Sequence, residues 1–189
     1  MRSLAALGSI LLTGPKHSGK TSTGRVLARY GGWDFVDLDE LIERQSGASP
    51  RTLYAQSPER FRQAETRALK SLLPPQGEPP PPQVIAAGGG LIDNADALAL
   101  AEAAGLLMVY LEVSAETAWQ RIAREGPLPP FLNTARPRET HAALHRRRAL
   151  AYQSRAHIRI GADAKGPEQL AKDIMAALDR YGLDTPSPL

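Results

Sequence analysis

The chain predicts an α/β fold: a five-stranded parallel sheet with helices on both faces. Three observations point there. Short apolar runs alternate with longer helix-compatible stretches, the pattern made by crossover helices packing over a parallel sheet. The first run, Ile10-Leu11-Leu12, leads directly into a glycine-rich turn and then a helical stretch, the strand–loop–helix order of a phosphate-binding loop. The chain has 189 residues, enough for one well-packed domain and tight for two.

Taken in order, strands are expected at Ser9–Thr13, Phe35–Leu38, Val84–Ala87, Leu107–Val113 and His157–Ile160. Helices are expected at Lys20–Tyr30, Leu38–Gln45, Pro58–Leu73, Asn94–Ala104, Ala115–Arg124, Arg138–Arg155 and Pro167–Tyr181. Val26 and Leu27 give the first helix its apolar face, and Ser114 is placed to cap the fifth. Two segments break the rhythm. Pro74 to Pro82 holds six prolines, which forbid both helix and ladder-forming strand, so it reads as a surface connection. Gly126 to Pro137 holds four prolines around Phe131 and Leu132, between two long helices, and reads as a mobile lid. The terminus from Asp184 to Leu189 is expected to fray.

Composition narrows the function classes. Hydrophobic residues make up 42% and charged residues 23%, ordinary for a soluble globular protein. A net charge of +3 suits anionic ligands without requiring nucleic acid. Aromatic residues are only 5% and none interleave with the basic run Arg146–Arg148, which argues against a nucleic-acid surface. With no cysteine there are no disulfides or thiolate metal sites, as expected in the cytoplasm. Arg2 and the apolar residues after it have the look of a short signal peptide. No small-residue cleavage site follows, however, and cleavage would remove the strand that the phosphate loop needs. No run approaches the ~20 apolar residues of a membrane span.

The chemistry begins at Gly14-Pro15-Lys16-His17-Ser18-Gly19-Lys20-Thr21, a complete G-x-x-x-x-G-K-T loop. Glycines allow successive backbone N–H groups to turn inward around phosphate oxygens, and the helix N-terminus adds the positive end of its dipole. Lys20 reaches the terminal phosphates, the Thr21 hydroxyl can ligate Mg²⁺, and Ser22 completes the nucleotide-binding set. Asp37 and Asp39 end the second strand, on the side where open parallel sheets bind ligands. One carboxylate can hold the metal's water shell while the other orients or deprotonates a hydroxyl. The bland alternative is a helix cap plus a solvated acid. No acid follows the third strand, where Gly88 stands, so Asp37 is the metal candidate. Gly88-Gly89-Gly90 would let a ligand approach the backbone closely, or would simply be a flexible turn. Arg62 has Glu65 one turn on, so a surface ion pair is its bland reading. Of Arg146, Arg147 and Arg148, only one should face a cleft.

Together these pieces resemble the shikimate kinases, from Ile10 to Ile160. The phosphate loop is followed in order by Asp37-Leu38-Asp39-Glu40-Leu41-Ile42-Glu43, Phe61-Arg62-Gln63-Ala64-Glu65, Gly88-Gly89-Gly90 and Arg148-Ala149-Leu150-Ala151-Tyr152. The resemblance implies a P-loop, nucleoside-monophosphate-kinase-like fold as one domain, with a substrate-binding region at about 38–73 and a lid at about 126–137. It implies ATP-dependent phosphorylation of the shikimate 3-hydroxyl by a cytoplasmic monomer, with ATP and shikimate as its partners. Asp39 would bind the ring hydroxyls and act as base, Arg62 and Arg148 would hold the carboxylate, and the three glycines would line the ring. Lys20 would neutralise the moving phosphoryl group, Thr21 and Asp37 would flank Mg²⁺, and Arg121 would lie near the adenine.

One departure stands out. The family's lid carries an Arg-Pro-Leu-Leu segment, and here Pro129-Pro130-Phe131-Leu132 occupies it without the arginine. Arg124 and Arg136 flank the segment as candidate replacements, and Arg121, which the resemblance rather places near the adenine, is a third. Two competing readings therefore accompany the first. One is another small-molecule kinase of the gluconate or nucleotide type, although a neutral sugar would give two convergent arginines nothing to grip. The other is a module that binds shikimate or nucleotide and turns over poorly.

Overall fold

The computed structural model describes residues 8–74, 82–124 and 127–184. Within them, β1 (Ile10–Thr13), β2 (Asp34–Asp37), β3 (Gln83–Ala86), β4 (Leu107–Glu112) and β5 (Ile158–Gly161) form one parallel sheet in the order β2-β3-β1-β4-β5. The helices are α1 (Lys20–Gly31), α2 (Leu38–Ser46), α3 (Pro50–Gln56), α4 (Pro58–Ser71), α5 (Ala95–Ala103), α6 (Ala115–Arg124), α7 (Pro137–Arg155) and α8 (Pro167–Asp184).

Successive strand side chains point to opposite faces, and this alternation divides the core in two. Ile10, Leu12, Leu107, Val109 and Leu111 pack with Leu27 of α1 and with Leu170, Ile174 and Leu178 of α8. Leu11, Ile85, Met108 and Tyr110 face the other way, onto Leu38 and Ile42 of α2, Leu69 of α4 and Leu98 of α5. Tyr152 of α7 completes that second core, its ring stacked on Tyr110 with centroids 5.2 Å apart. Covered on both faces, the central strands need unbroken apolar runs, and β1 and β4 have them.

The expected strands and helices are present with ends shifted by at most three residues, the largest shift being in α8, which runs on through Asp184, a residue expected to fray. One α-helix was not expected. Ser49 and Pro50 open α3: the serine hydroxyl accepts a hydrogen bond from the Thr52 N–H at 3.2 Å, and proline fills the first turn. Ser57 and Pro58 repeat the device at the start of α4. Ser114 caps α6 as expected, its hydroxyl accepting from the Thr117 N–H at 3.1 Å. The lid segment contains a 3₁₀ turn, Pro130–Leu132, whose Leu132 is fully buried. The proline-rich connection at 75–81, Gly126 at the start of the lid and the terminus at 185–189 lie outside the described residues.

Candidate active site

The phosphate loop joins the C-terminal end of β1 to α1, next to the ends of β3 and β4. Its glycines are required. Gly14 has φ 145°, and a Cβ there would stand 2.6 Å from the Leu111 carbonyl oxygen. Gly19 caps α1 at φ 92°, in left-handed backbone that side chains resist. Lys20 is buried and curls over the loop. Its Nζ donates to the carbonyl oxygens of Gly14 at 3.0 Å and Pro15 at 2.8 Å, and to Ser18 Oγ at 3.4 Å. Burial lowers its pKa to about 8, against the opposing pull of Asp39 and Asp37.

Asp37 has two tasks at once. Oδ1 caps α2 by accepting from the N–H groups of Asp39 at 3.0 Å and Glu40 at 3.3 Å. Oδ2 accepts from the Thr21 hydroxyl at 2.7 Å. The cap and the metal-site reading are therefore compatible: one oxygen fixes the helix and the other meets Thr21 beside the loop.

The triglycine turn follows β3 and approaches α2, α4, the phosphate loop and α7. A Cβ on Gly88 would lie 3.2 Å from Asp39 Oδ1 and 3.3 Å from Glu65 Oε1. One on Gly89 would lie 2.8 Å from the Lys16 backbone nitrogen, and one on Gly90 3.2 Å from Arg148 Nη2. These close approaches, rather than flexibility, explain the glycines. Asp39 is open to solvent at this turn, yet desolvation by surrounding protein and then the Asp37 charge raise its pKa, while Lys20 and Lys16 lower it.

Arg148 is the inward member of the arginine run, with a side chain only 19% exposed. Asp93 Oδ2 holds it through Nε at 2.9 Å and Nη2 at 2.8 Å, and Oδ1 takes Arg147 at 2.9 Å. The lid residue Phe131 lies under the Arg148 guanidinium, 5.6 Å from ring centroid to Cζ. Arg146 is exposed. Arg62 behaves differently: Glu59 Oε2 accepts from its Nε at 3.2 Å and its Nη2 at 3.0 Å. The expected partner Glu65 is instead turned inward, because α4 packs that face toward α5 and the sheet. The side chain of Arg62 remains 40% exposed. Its backbone oxygen shares Asn94 Nδ2 with Glu65 Oε2, both at 2.9 Å. Arg121 ties the nucleotide end together, donating to the His17 carbonyl oxygen at 2.8 Å and the Asp163 carbonyl oxygen at 3.1 Å.

Sequence reasoning overlooked several residues here. Glu65 is 1% exposed, its Oε1 has no hydrogen-bond partner, and desolvation raises its pKa to about 7. The available signal was a charge on the apolar stripe of α4, four residues before Leu69. Asp93 and Arg51 were also missed. Arg51 of α3 clasps the lid, donating to the carbonyl oxygens of Pro127 at 3.2 Å and Leu128 at 3.1 Å, and Tyr54 meets Phe131 edge to face. Neither flanking arginine enters the cleft: Arg136 pairs with Glu139 on the surface, and Arg124 is exposed.

Known proteins are consistent with this geometry. The family model described as shikimate kinase matches residues 16–179. A shikimate kinase of Moorella thermoacetica is 35% identical over 175 residues, covering 92% of this chain and 96% of its own. One of Histophilus somni is 31% identical over 177 residues, covering 93% and 98%. Among solved structures, a shikimate kinase from Acinetobacter baumannii in complex with shikimate superposes with a TM-score of 0.83 at 29% identity, covering 97% of this chain and 99% of that one. With the loop, the paired aspartates, the triglycine turn and the inward arginine all in place, the chain belongs to the shikimate kinase family.

Proposed function

We propose that this protein transfers the γ-phosphoryl group of ATP to the 3-hydroxyl of shikimate, a step of aromatic amino-acid biosynthesis. The observation that carries the reading is the triglycine turn. Gly88 and Gly90 abut, respectively, a carboxylate suited to a hydroxyl and a guanidinium suited to a carboxylate. A hydroxy acid with its reacting oxygen at Asp39 and its carboxylate at Arg148 satisfies both. Arg62, once released from Glu59, would add a second fork, and the glycines would line the ring.

The nucleotide is held by the Gly14–Thr21 amides and by the N-terminus of α1, with Ser22 on the phosphate side and Arg121 toward the base. Thr21 Oγ1 and Asp37 Oδ2 are hard oxygen donors 2.7 Å apart, a pairing that suits Mg²⁺, which keeps waters and phosphate oxygens as its remaining ligands. Thr21 Oγ1 and Asp37 Oδ2 would hold the ion, which when bound would offset the negative charge that develops on the phosphate oxygens. Asp39 accepts the hydroxyl proton as the new P–O bond forms and the bond to ADP breaks. The environment that raises its pKa makes it a better base. Lys20 leaves its own loop carbonyls for the phosphate oxygens, a better-charged partner for a buried ammonium.

The protein is read as one catalytic domain, monomeric and cytoplasmic. Tyr30 and Leu150 are the exposed large hydrophobic residues among those described, and no helix there is long and apolar enough to cross a membrane. A coupled ADP-release assay tests the activity, with shikimate, gluconate and a nucleoside monophosphate each offered with Mg·ATP. Turnover is expected with shikimate alone. Its absence, or equal rates with gluconate, would end this reading.

A further inference from the structure

Phosphoryl transfer spreads negative charge over three equatorial oxygens, and cations aimed at that charge supply much of the catalysis. Lys20 is one such cation. The lid segment brings no second: between 127 and 137 its one cationic residue is Arg136, engaged with Glu139 and 76% exposed at the side chain. Arg51 reaches the lid, but its guanidinium is committed to two lid carbonyl oxygens. The position opposite Lys20 therefore needs a cation from elsewhere.

Lys16 lies where that cation is needed. It stands on the phosphate loop itself, two residues from Gly14, and its backbone is against Gly89. Its side chain is exposed, and among the described residues no hydrogen bond or ion pair holds it. It lines a small cavity of about 30 Å³ whose other walls include Phe131 of the lid and Arg148 of α7. That cavity thus links the phosphate loop to the lid and to Arg148. The Lys16 charge also acts on both groups that flank the reacting atoms, since it lowers the pKa values of Lys20 and of Asp39. A flexible ammonium with three donors can swing onto a transferred phosphoryl group once the lid shuts water out of this space.

We propose that the Lys16 side chain is a second catalytic cation, which binds the phosphoryl group as it passes from ATP to the acceptor hydroxyl. The assignment rests on the kinase reading above. In the step, the P–O bond to ADP breaks, the P–O bond to the acceptor forms, and the hydroxyl proton goes to Asp39. Lys16 donates hydrogen bonds to the equatorial oxygens and transfers no proton. The identity of residue 16 then sets the rate in a lid that has no arginine at 129.

Lys16→Met keeps the length and removes the charge, and Lys16→Arg keeps the charge. The single-turnover rate of transfer is measured with Mg·ATP and shikimate, and the affinities for Mg·ADP and for shikimate by calorimetry. Lys16→Met should slow transfer by about 100-fold, in the range seen when one transition-state donor is removed, with both affinities within about threefold of wild type. Lys16→Arg should recover at least a tenth of the wild-type rate. Arg124→Ala and Arg136→Ala, run in parallel, should stay within about threefold. An unchanged rate in Lys16→Met overturns the proposal. So does a loss confined to shikimate affinity, which would make Lys16 a carboxylate ligand, or one confined to ADP affinity, which would make it a ground-state phosphate contact. Wild-type enzyme inactive on shikimate would instead defeat the kinase reading itself, so the two failures are distinct.

Discussion

At the scale of single residues, the site is built from side chains that hold two positions at once, and Glu65 is the least settled of them. Its Oε2 is satisfied by Asn94, but Oε1 is buried without a partner, so the charged form is penalised. A folded pKa near 7 against an ordinary 4.5 means that the native state binds the proton more tightly. The stability this confers is fully present below pH 4.5 and is lost as pH rises through about 7. The loss is on the order of 3 kcal/mol, at 1.36 kcal/mol per unit. Glu65→Gln keeps an acceptor for Asn94 and removes the titration. Urea unfolding of ligand-free protein at pH 5 and pH 8 should show wild type losing more stability than the variant on going to pH 8. Equal changes in both would show that Glu65 does not carry the effect. Thr21 offers a second check. Its hydroxyl bonds Asp37 at 2.7 Å beside the proposed metal position. Thr21→Val should lower turnover at saturating substrates by at least tenfold and raise the Mg²⁺ concentration needed for half-maximal rate. An unaltered Mg²⁺ dependence would move Thr21 out of the metal site.

At the scale of elements, the helices divide between those the sequence announced and those that depend on tertiary neighbours. The glycine pattern at 14 and 19 specifies a backbone path, so loop and flanking strand were readable from letters alone. The core alternation was readable in β1 and β4 for the same reason. By contrast α3 has seven residues and buries only Leu53, too little for a periodic stripe, and only the Ser-Pro pair at 49–50 marked it. The inward turn of Glu65 was marked only by a charge on the apolar stripe of α4, and the Asp93–Arg148 pair was not readable, because each depends on how α4 and α7 face other elements. Helical spacing offered Glu65 to Arg62, whereas Glu59 at the opposite spacing took it. The turn at Leu91–Asp93 bears on the proposed acid seat, since it carries the carboxylate that holds Arg148. Asp93→Ala should leave Arg148 charged but free to change rotamer. The expected outcome is a rise of about tenfold or more in KM for shikimate with KM for ATP within twofold, since a side chain must then be ordered on binding. Equal effects on both substrates would assign Asp93 to general stability rather than to positioning.

At the scale of the whole molecule, the proposed seats of the two ligands share one cleft, and Phe131 of the lid segment lines it together with Pro15 and Lys16 of the phosphate loop and Arg148 of α7. Phe131 meets Arg148 on the acid side, while Arg51 and Tyr54 of α3 hold the same segment from the other. The groove between α3 and the lid, about 840 Å³ and open, leaves room for that segment to move. On the proposed reading both ligands would meet this one element, and each should favour the closed position that the other prefers. A ligand at a hundred times its Kd stabilises the native state by about 2.7 kcal/mol. For a chain of this length that is a rise in Tm of roughly 5–10 °C. Mg·ADP and shikimate, each at that excess, should raise the melting temperature separately, and together by more than the sum. Arg51→Ala removes the clasp and touches neither ligand. It should keep both separate shifts and abolish the surplus, while shikimate affinity measured in the presence of Mg·ADP falls to its value in the absence of nucleotide. A surplus that survives in Arg51→Ala would place the coupling in the phosphate loop and the triglycine turn, where Lys16 and Gly89 already meet, and not in the lid.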